Sequence, residues 1–186
     1  MTRPTTAFVL AAGLGKRMRP LTATVPKPMV QLGGRPLIDH ALDRLAEAGI
    51  TRAIVNVHYL ADQIERHVAD RITPRVTISD ERDRVLDTGG GVKRALPLLG
   101  VEPFVIHNSD SVWLEGPHAN LPSLLDAWDE TRMDSLLLLA TSVRSLGYDG
   151  EGDFLMHADG RLERRRTGSP APFVFTGVSI AHPRLL

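Results

Sequence analysis

The chain has 186 residues, 22 Lys and Arg against 22 Asp and Glu, and no Cys. That length predicts roughly one domain with a core that needs no staples, the balanced charge argues against a protein that coats nucleic acid, and the missing Cys excludes disulfides, zinc–thiolate sites and thiol catalysis. A single Arg and a short apolar run, Ala7 to Ala12, do not have the form of a secretory leader, and no stretch approaches the roughly 20 apolar residues of a membrane span, so a cytoplasmic protein without a membrane partner is expected.

Strand and helix signals alternate along the chain. Thr6 to Ala11 is apolar with β-branched residues and reads as a buried strand running into Gly13. Pro36 then opens a helix that carries Leu37, Ile38, Ala41, Leu42, Leu45 and Ala46 on one face and stops at Gly49. Ala53 to Val57 is a second strand and Asp62 to Asp70 a second helix. Val76 and Ile78 mark a third strand, Gly91 to Leu99 a short helix and Phe104 to Ile106 a fourth strand. Leu121 to Thr131 reads as a helix, and Leu136 to Thr141, apolar on both faces, as a central strand. Phe154 to His157 and Arg161 to Arg164 flank a turn and predict a hairpin, followed by a strand from Phe173 to Ala181. Pro183 to Leu186 reads as the start of a further helix.

The first 141 residues therefore predict βαβ units: an α/β, Rossmann-like, doubly wound and mainly parallel (mixed) sheet with helices on both faces. Residues 142–186 read as a β-rich elaboration of the same domain. Ligands of such sheets sit beyond the carboxyl ends of the strands, so the motifs gain meaning where strands run out.

The first strand ends in a loop with Gly13, Gly15, Lys16, Arg17 and Arg19. Glycines let successive N–H groups converge on an anion. Met18 stands where a dinucleotide fingerprint needs its third Gly, and no Gly-Lys-Ser/Thr closes a Walker loop. Alone, such a loop is as readily a structural turn. Ten residues after Arg17, however, Pro26 and Pro28 frame Lys27 and aim its ammonium. A framed Lys beside a Gly/Arg loop suits a substrate with several phosphates. Asp110 falls at the carboxyl end of the fourth strand, where one carboxylate facing a polyphosphate suits Mg²⁺, although by spacing alone a lone Asp after a strand is more commonly a turn former. The seven His show no metal-ligand spacing, and Arg164-Arg165-Arg166 has no interleaved aromatic of the kind a nucleic-acid site uses.

The run Leu10-Ala11-Ala12-Gly13-x-Gly15-x-Arg17-Met18-x-Pro20-Leu21-Thr22, with Pro26-Lys27-Pro28 and Gly34-x-Pro36-Leu37-Ile38, resembles the signature of sugar-1-phosphate nucleotidyltransferases. The resemblance continues through Asp87-Thr88-Gly89-Gly90-Gly91, Asn108-Ser109-Asp110, Gly152-Asp153-Phe154 and Phe175-Thr176-Gly177. Within that family the triple glycine, the Asp-x-x-Trp beginning at Asp110, and the Gly-Asp-Phe and Phe-Thr-Gly runs are most similar to bacterial uridylyltransferases acting on N-acetylmuramate 1-phosphate in cell-wall recycling.

The resemblance implies a nucleoside triphosphate and a sugar 1-phosphate as partners, with UTP and N-acetylmuramate 1-phosphate foremost. It implies Arg17 and Lys27 as catalytic residues, and nucleotide binding by Leu10, Ala11, Ala12, Gly13, Gly15, Lys16, Arg17, Asp87, Thr88 and Gly89. Sugar-phosphate binding falls to Asn108, Asp153, Glu163 and Arg164, and Mg²⁺ binding to Asp110. Phe175 occupies a slot where many relatives carry Asn. The family draws a second metal-binding acid from a segment beyond Leu186, so a C-terminally truncated domain is expected. Two alternatives remain: a GTP-dependent mannose-1-phosphate enzyme, and a non-catalytic nucleotide-sugar-binding module on the same fold. A dinucleotide-dependent oxidoreductase is disfavoured by Met18 and by the lack of an acidic residue about 20 positions on. Oligomeric state is not legible in the sequence.

Overall fold

The computed structural model describes residues 3–145 and 148–186. Its elements are β1 (Thr6–Leu10), β2 (Gln31–Leu32), β3 (Arg35–Pro36), α1 (Leu37–Glu47), β4 (Arg52–Val57), α2 (Ala61–Val68) and β5 (Arg75–Asp80). They are followed by α3 (Thr88–Leu99), β6 (Phe104–Asn108), α4 (Asn120–Asp126) and β7 (Ser135–Thr141), then β8 (Phe154–Met156), β9 (Leu162–Arg164) and β10 (Phe173–Ala181). Strands β5, β4, β1 and β6 are parallel neighbours in that order. β10 then pairs antiparallel with β6, β7 and β8, and β9 closes the hairpin on β8. The chain thus forms the mixed, mainly parallel α/β sheet expected.

Alternation along β1 explains why both faces are covered. Ala7 and Val9 point into a core built with Ile38, Leu42 and Leu45 of α1, Ile64 of α2 and Leu121 and Leu125 of α4. Phe8 points the other way, against Ile54, Phe104 and Val92, Ala95 and Leu99 of α3. A strand buried on two faces must be apolar throughout, and Ala7, Phe8 and Val9 have no exposed surface. Successive connections leave β1 towards β4 on one side and reach β6 on the other. The crevice between the carboxyl ends of β1 and β6 is therefore the topological switch point at which such sheets bind ligands.

Two expectations need correction. The helix expected at 121–131 ends at Asp126, because Asp129 Oδ1 accepts from both the Thr131 amide (3.0 Å) and its hydroxyl (2.7 Å) and so offers the backbone a competing turn. Trp128 is nevertheless buried with the core. β7, expected to be central, pairs only with β10 among the described residues, and all its residues are half-buried. Apolar residues on both faces report what covers a strand, not how many strands flank it. Pro183–Leu185 forms a 3₁₀ turn, in keeping with the helical start expected there. In addition, α3 begins at Thr88, earlier than its apolar spacing suggests, since Asp87 caps it by accepting from the Gly90 amide at 2.8 Å.

Candidate active site

A cleft of about 410 Å³ opens at the carboxyl ends of β1 and β6. Its walls are Leu10, Ala11, residues 13–18, Lys27 and the run Asn108-Ser109-Asp110. The glycine loop keeps its shape through Gly15, whose φ of +60° starts the 3₁₀ turn Lys16–Met18. The buried Thr22 donates its hydroxyl to Gly15 O at 2.7 Å, and Tyr59 donates to Thr22 O and Ala23 O at 3.1 and 2.8 Å. Lys16, Arg17 and Arg19 are exposed and make no ion pair among the described residues. The loop therefore presents uncompensated positive charge at the rim.

Pro26 is extended and Pro28 buried in the turn Lys27–Met29, which is fixed to α1 by the Leu37 amide donating to Val30 O at 2.9 Å. This frame directs Lys27 across the cleft, where its ammonium forms an ion pair with Asp110 Oδ2. Eighty-three positions apart in sequence, the two side chains are 30% and 29% exposed. Asp110 is the sole carboxylate among the described residues lining this cleft.

The neighbours of Asp110 are held tightly. Ser109 donates both its amide (3.1 Å) and its hydroxyl (2.7 Å) to Leu10 O, so the hydroxyl binds β1 rather than facing the cleft. His107 is buried, donates Nδ1–H to Asn108 O at 2.7 Å, and stacks on Trp113 at 5.6 Å between ring centroids. Burial pushes its pKa down to about 4, so at neutral pH it is uncharged packing. Trp113 and Asn120 both donate to Glu115, which ties down the segment after Asp110. The Asp-x-x-Trp spacing is thus a clamp.

The Phe-Thr-Gly run is explained by a register shift in β10 between Phe175 and Ser179. Gly177 has φ +82°, and a Cβ there would lie 2.4 Å from Ser111 Oγ and 2.6 Å from Asn108 Nδ2. Only glycine lets the strand pass so close to the cleft floor.

The remaining predicted residues are not all brought to one place. Ala12 is buried behind the wall. The Asp87 carboxylate is spent on the α3 cap, and Asp87, Thr88 and Gly89 are exposed at that helix start, outside the walls of the main cleft. Asp153 accepts from the Phe175 amide at 2.9 Å and, with Phe154, Arg164, Arg165 and Phe175, lines a second cleft of about 390 Å³. β10 carries Phe175 at the second cleft and, two residues on, Gly177 against Asn108 of the main cleft. Glu163 and Arg164 are successive in β9, and successive strand residues point to opposite faces. Arg164 lines the second cleft, whereas Glu163 faces His157 and Arg166.

Two residues behind the site were missed from sequence. Asn56 Oδ1 accepts from the Ala11 amide at 2.7 Å and the Ala12 amide at 3.3 Å, and Asn56 Nδ2 donates to Glu81 Oε1 at 2.9 Å. The available signal was a lone Asn inside the apolar run Ala53 to Val57. Among the described residues no group of three or more His, Asp or Glu forms a metal cluster, and no helix is long and apolar enough to cross a membrane.

The pattern of the nucleotidyl transferase family matches residues 6–143. The chain is 48% identical over 186 residues to the N-acetylmuramate alpha-1-phosphate uridylyltransferase of Caulobacter vibrioides, a match covering 98% of this chain and 77% of the relative. It is 37% identical over 111 residues to the mannose-1-phosphate guanyltransferase beta-B of Xenopus laevis, covering 57% of this chain and 31% of that one. Among solved structures, UDP-glucose pyrophosphorylase complexed with UDP-glucose superposes with a TM-score of 0.77 at 19% identity, over 98% of this chain and 77% of that one. That likeness concerns the fold.

Proposed function

The chain belongs to the nucleotidyl transferase family, and from that premise we propose that it condenses UTP with N-acetylmuramate 1-phosphate, giving the nucleotide sugar and pyrophosphate. The observation carrying this reading is the Lys27–Asp110 pair across a cleft rimmed by the uncompensated cations Lys16 and Arg17. The 48% identity to the Caulobacter uridylyltransferase supports the choice of base and sugar. Residues 1–186 act as one nucleotidyltransferase domain in this reading.

A phosphate oxygen of the sugar 1-phosphate attacks the α-phosphorus in line, the new P–O bond forms, the α–β anhydride bond breaks and its electron pair leaves on pyrophosphate. The sugar phosphate is already a nucleophile, so the protein's contribution is positioning and charge stabilisation. Arg17, Lys16 and the amides of the 13–15 loop bind the β- and γ-phosphates and the departing pyrophosphate. Lys27 exchanges its bond to Asp110 for the α-phosphate and the incoming sugar phosphate. Asp110 fits a Mg²⁺ ligand, since Mg²⁺ takes one or two carboxylates and completes its octahedron with phosphate oxygens and water. Mg²⁺ held by Asp110 would supply charge neutralisation for the phosphates. The nucleobase lies against residues 10–13 and the start of α3, Asp87 to Gly89. Asn108, Asp153 and Arg164 hold the sugar side, and the Arg164 guanidinium, unpaired among the described residues, suits an anionic sugar phosphate.

The test is pyrophosphate release by the 186-residue chain with Mg²⁺, with each nucleoside triphosphate paired in turn with N-acetylmuramate, glucosamine and mannose 1-phosphates. Turnover confined to UTP with the muramate is the expected result. A GTP-and-mannose profile overturns it in favour of the guanylyltransferase reading, for which the 37% match over part of the chain is the support.

A further inference from the structure

Behind the main cleft lies a buried polar chain that no substrate-facing role accounts for. Asn56 is 2% exposed and Glu81 has no exposed surface. Asn56 is the last residue but one of β4 and pairs in register with Leu10, the last of β1. Its orientation is fixed by chemistry: the amides of Ala11 and Ala12 can only donate, so Oδ1 faces them and the NH₂ faces away. The NH₂, buried from solvent, needs an acceptor, and Glu81 Oε1 provides it at 2.9 Å. The Glu81 backbone is itself held by its amide donating to Val57 O at 2.8 Å. Gly91, in the first turns of α3, leaves the room: a Cβ there would lie 2.8 Å from Glu81 Oε1 and 3.0 Å from Asn56 Nδ2. The relay therefore bonds to one of the segments between which the nucleobase is placed above, residues 10–13, and packs against Gly91 of the other element, α3.

We propose that Glu81 and Asn56 are positioning residues for nucleotide binding, a relay that sets the Ala11–Ala12 backbone and its spacing from α3 and so determines affinity for the base end of UTP. The proposal rests on the nucleotide reading above. Neither side chain touches substrate, since both lie beneath the cleft wall that Leu10 and Ala11 form. An unmade hydrogen bond in such a place costs the desolvation of the orphaned group. Asn56→Asp opposes two carboxylates across the relay, and UTP affinity should fall by roughly tenfold or more. Glu81→Gln keeps an acceptor towards Asn56 and should leave affinity within about threefold, the span of a single neutral hydrogen bond adjusting its geometry. Combining the two reverses the polarity of one bond, the new amide donating to the new carboxylate, and should recover most of the loss.

The experiment is titration calorimetry of UTP into the full chain for the parent, N56D, E81Q, N56D/E81Q and G91A, with thermal unfolding of each. Recovery of UTP affinity in N56D/E81Q relative to N56D supports the relay, because a merely destabilised core gains nothing specific from a reversed bond. Should N56D fail to fold, G91A decides: it adds one methyl and removes no polar group, the helix preference for Ala over Gly offsets part of the overpacking, and UTP binding is expected to weaken in a variant that still folds. Parental affinity in N56D or G91A, or a double variant no better than N56D, overturns the proposal while leaving the enzymatic reading standing. Absence of UTP binding by the parent chain overturns both.

Discussion

Replacement of Lys27 by Ala separates the chemical role of the ammonium from its structural one. The Lys27–Asp110 pair is about 30% exposed on both sides, so water screens it and its loss costs about 1 kcal/mol of stability or less. For a chain of this length that corresponds to a melting shift of about 2–4 °C. The same ammonium acting on a phosphate once bound substrate has displaced the cleft's water is worth far more: removal of one such donor costs on the order of 10²–10³ in rate, about 3–4 kcal/mol. Lys27→Ala is therefore expected to melt within about 4 °C of the parent and to release pyrophosphate at least ~100-fold more slowly at saturating UTP. Continuous pyrophosphate detection and circular dichroism on the same preparations measure both. Retention of a tenth of parental turnover would refute the assigned role, and a melting drop of 10 °C or more would show that Lys27 holds the fold instead.

Asp110→Asn removes the charge of the cleft's sole carboxylate, and turnover should fall by roughly 100-fold or more with a weaker response to added Mg²⁺; an unchanged Mg²⁺ titration would exclude Asp110 as the ligand. Chelation with EDTA should abolish pyrophosphate release and excess Mg²⁺ restore it, whereas persistence of turnover in EDTA contradicts a metal requirement. Gly177→Ala combines a left-handed backbone, about 1–2 kcal/mol for a residue with a Cβ, with overpacking against Ser111 and Asn108 worth about 1–3 kcal/mol; a melting drop of at least ~5 °C is expected, and a parental melting curve would contradict the close approach of β10. His107 has a folded pKa depressed by burial from 6.5 to about 4. The unfolded state thus binds more protons between these values, so stability present above pH 6.5 is lost as pH falls towards 4, by roughly 3 kcal/mol in all. Urea unfolding across that window should show the slope for the parent and a flattened one for His107→Phe; equal slopes would assign the loss to other groups.

Much of this architecture was legible because burial on two faces leaves an unmistakable trace: Ala7, Phe8 and Val9 must all be apolar when helices cover both sides of β1. The Pro-Lys-Pro frame was equally legible, because proline states its own backbone geometry. Hydrogen-bond partners distant in sequence were not. Nothing in a pattern of hydrophobicity reports that Thr22 ties Gly15, that Asp87 is spent on a helix cap, or that Asn56 and Glu81 meet beneath the cleft wall. The short hairpin of β2 and β3 carries no buried face, hence no alternation to detect. β7 misled because its apolar faces were read as a central place in the sheet, whereas sheet order depends on which strands return to it. Glu163 and Arg164, neighbours in sequence, were assigned together, and strand geometry parts them.

The most direct measurement is a crystal structure of the chain soaked with UTP and Mg²⁺. The account predicts the triphosphate in the crevice between β1 and β6, Lys27 Nζ moved from Asp110 to an α-phosphate oxygen, and the metal on the freed carboxylate. A triphosphate bound elsewhere, or bound in that crevice with the Lys27–Asp110 pair intact and no metal on Asp110, would contradict it.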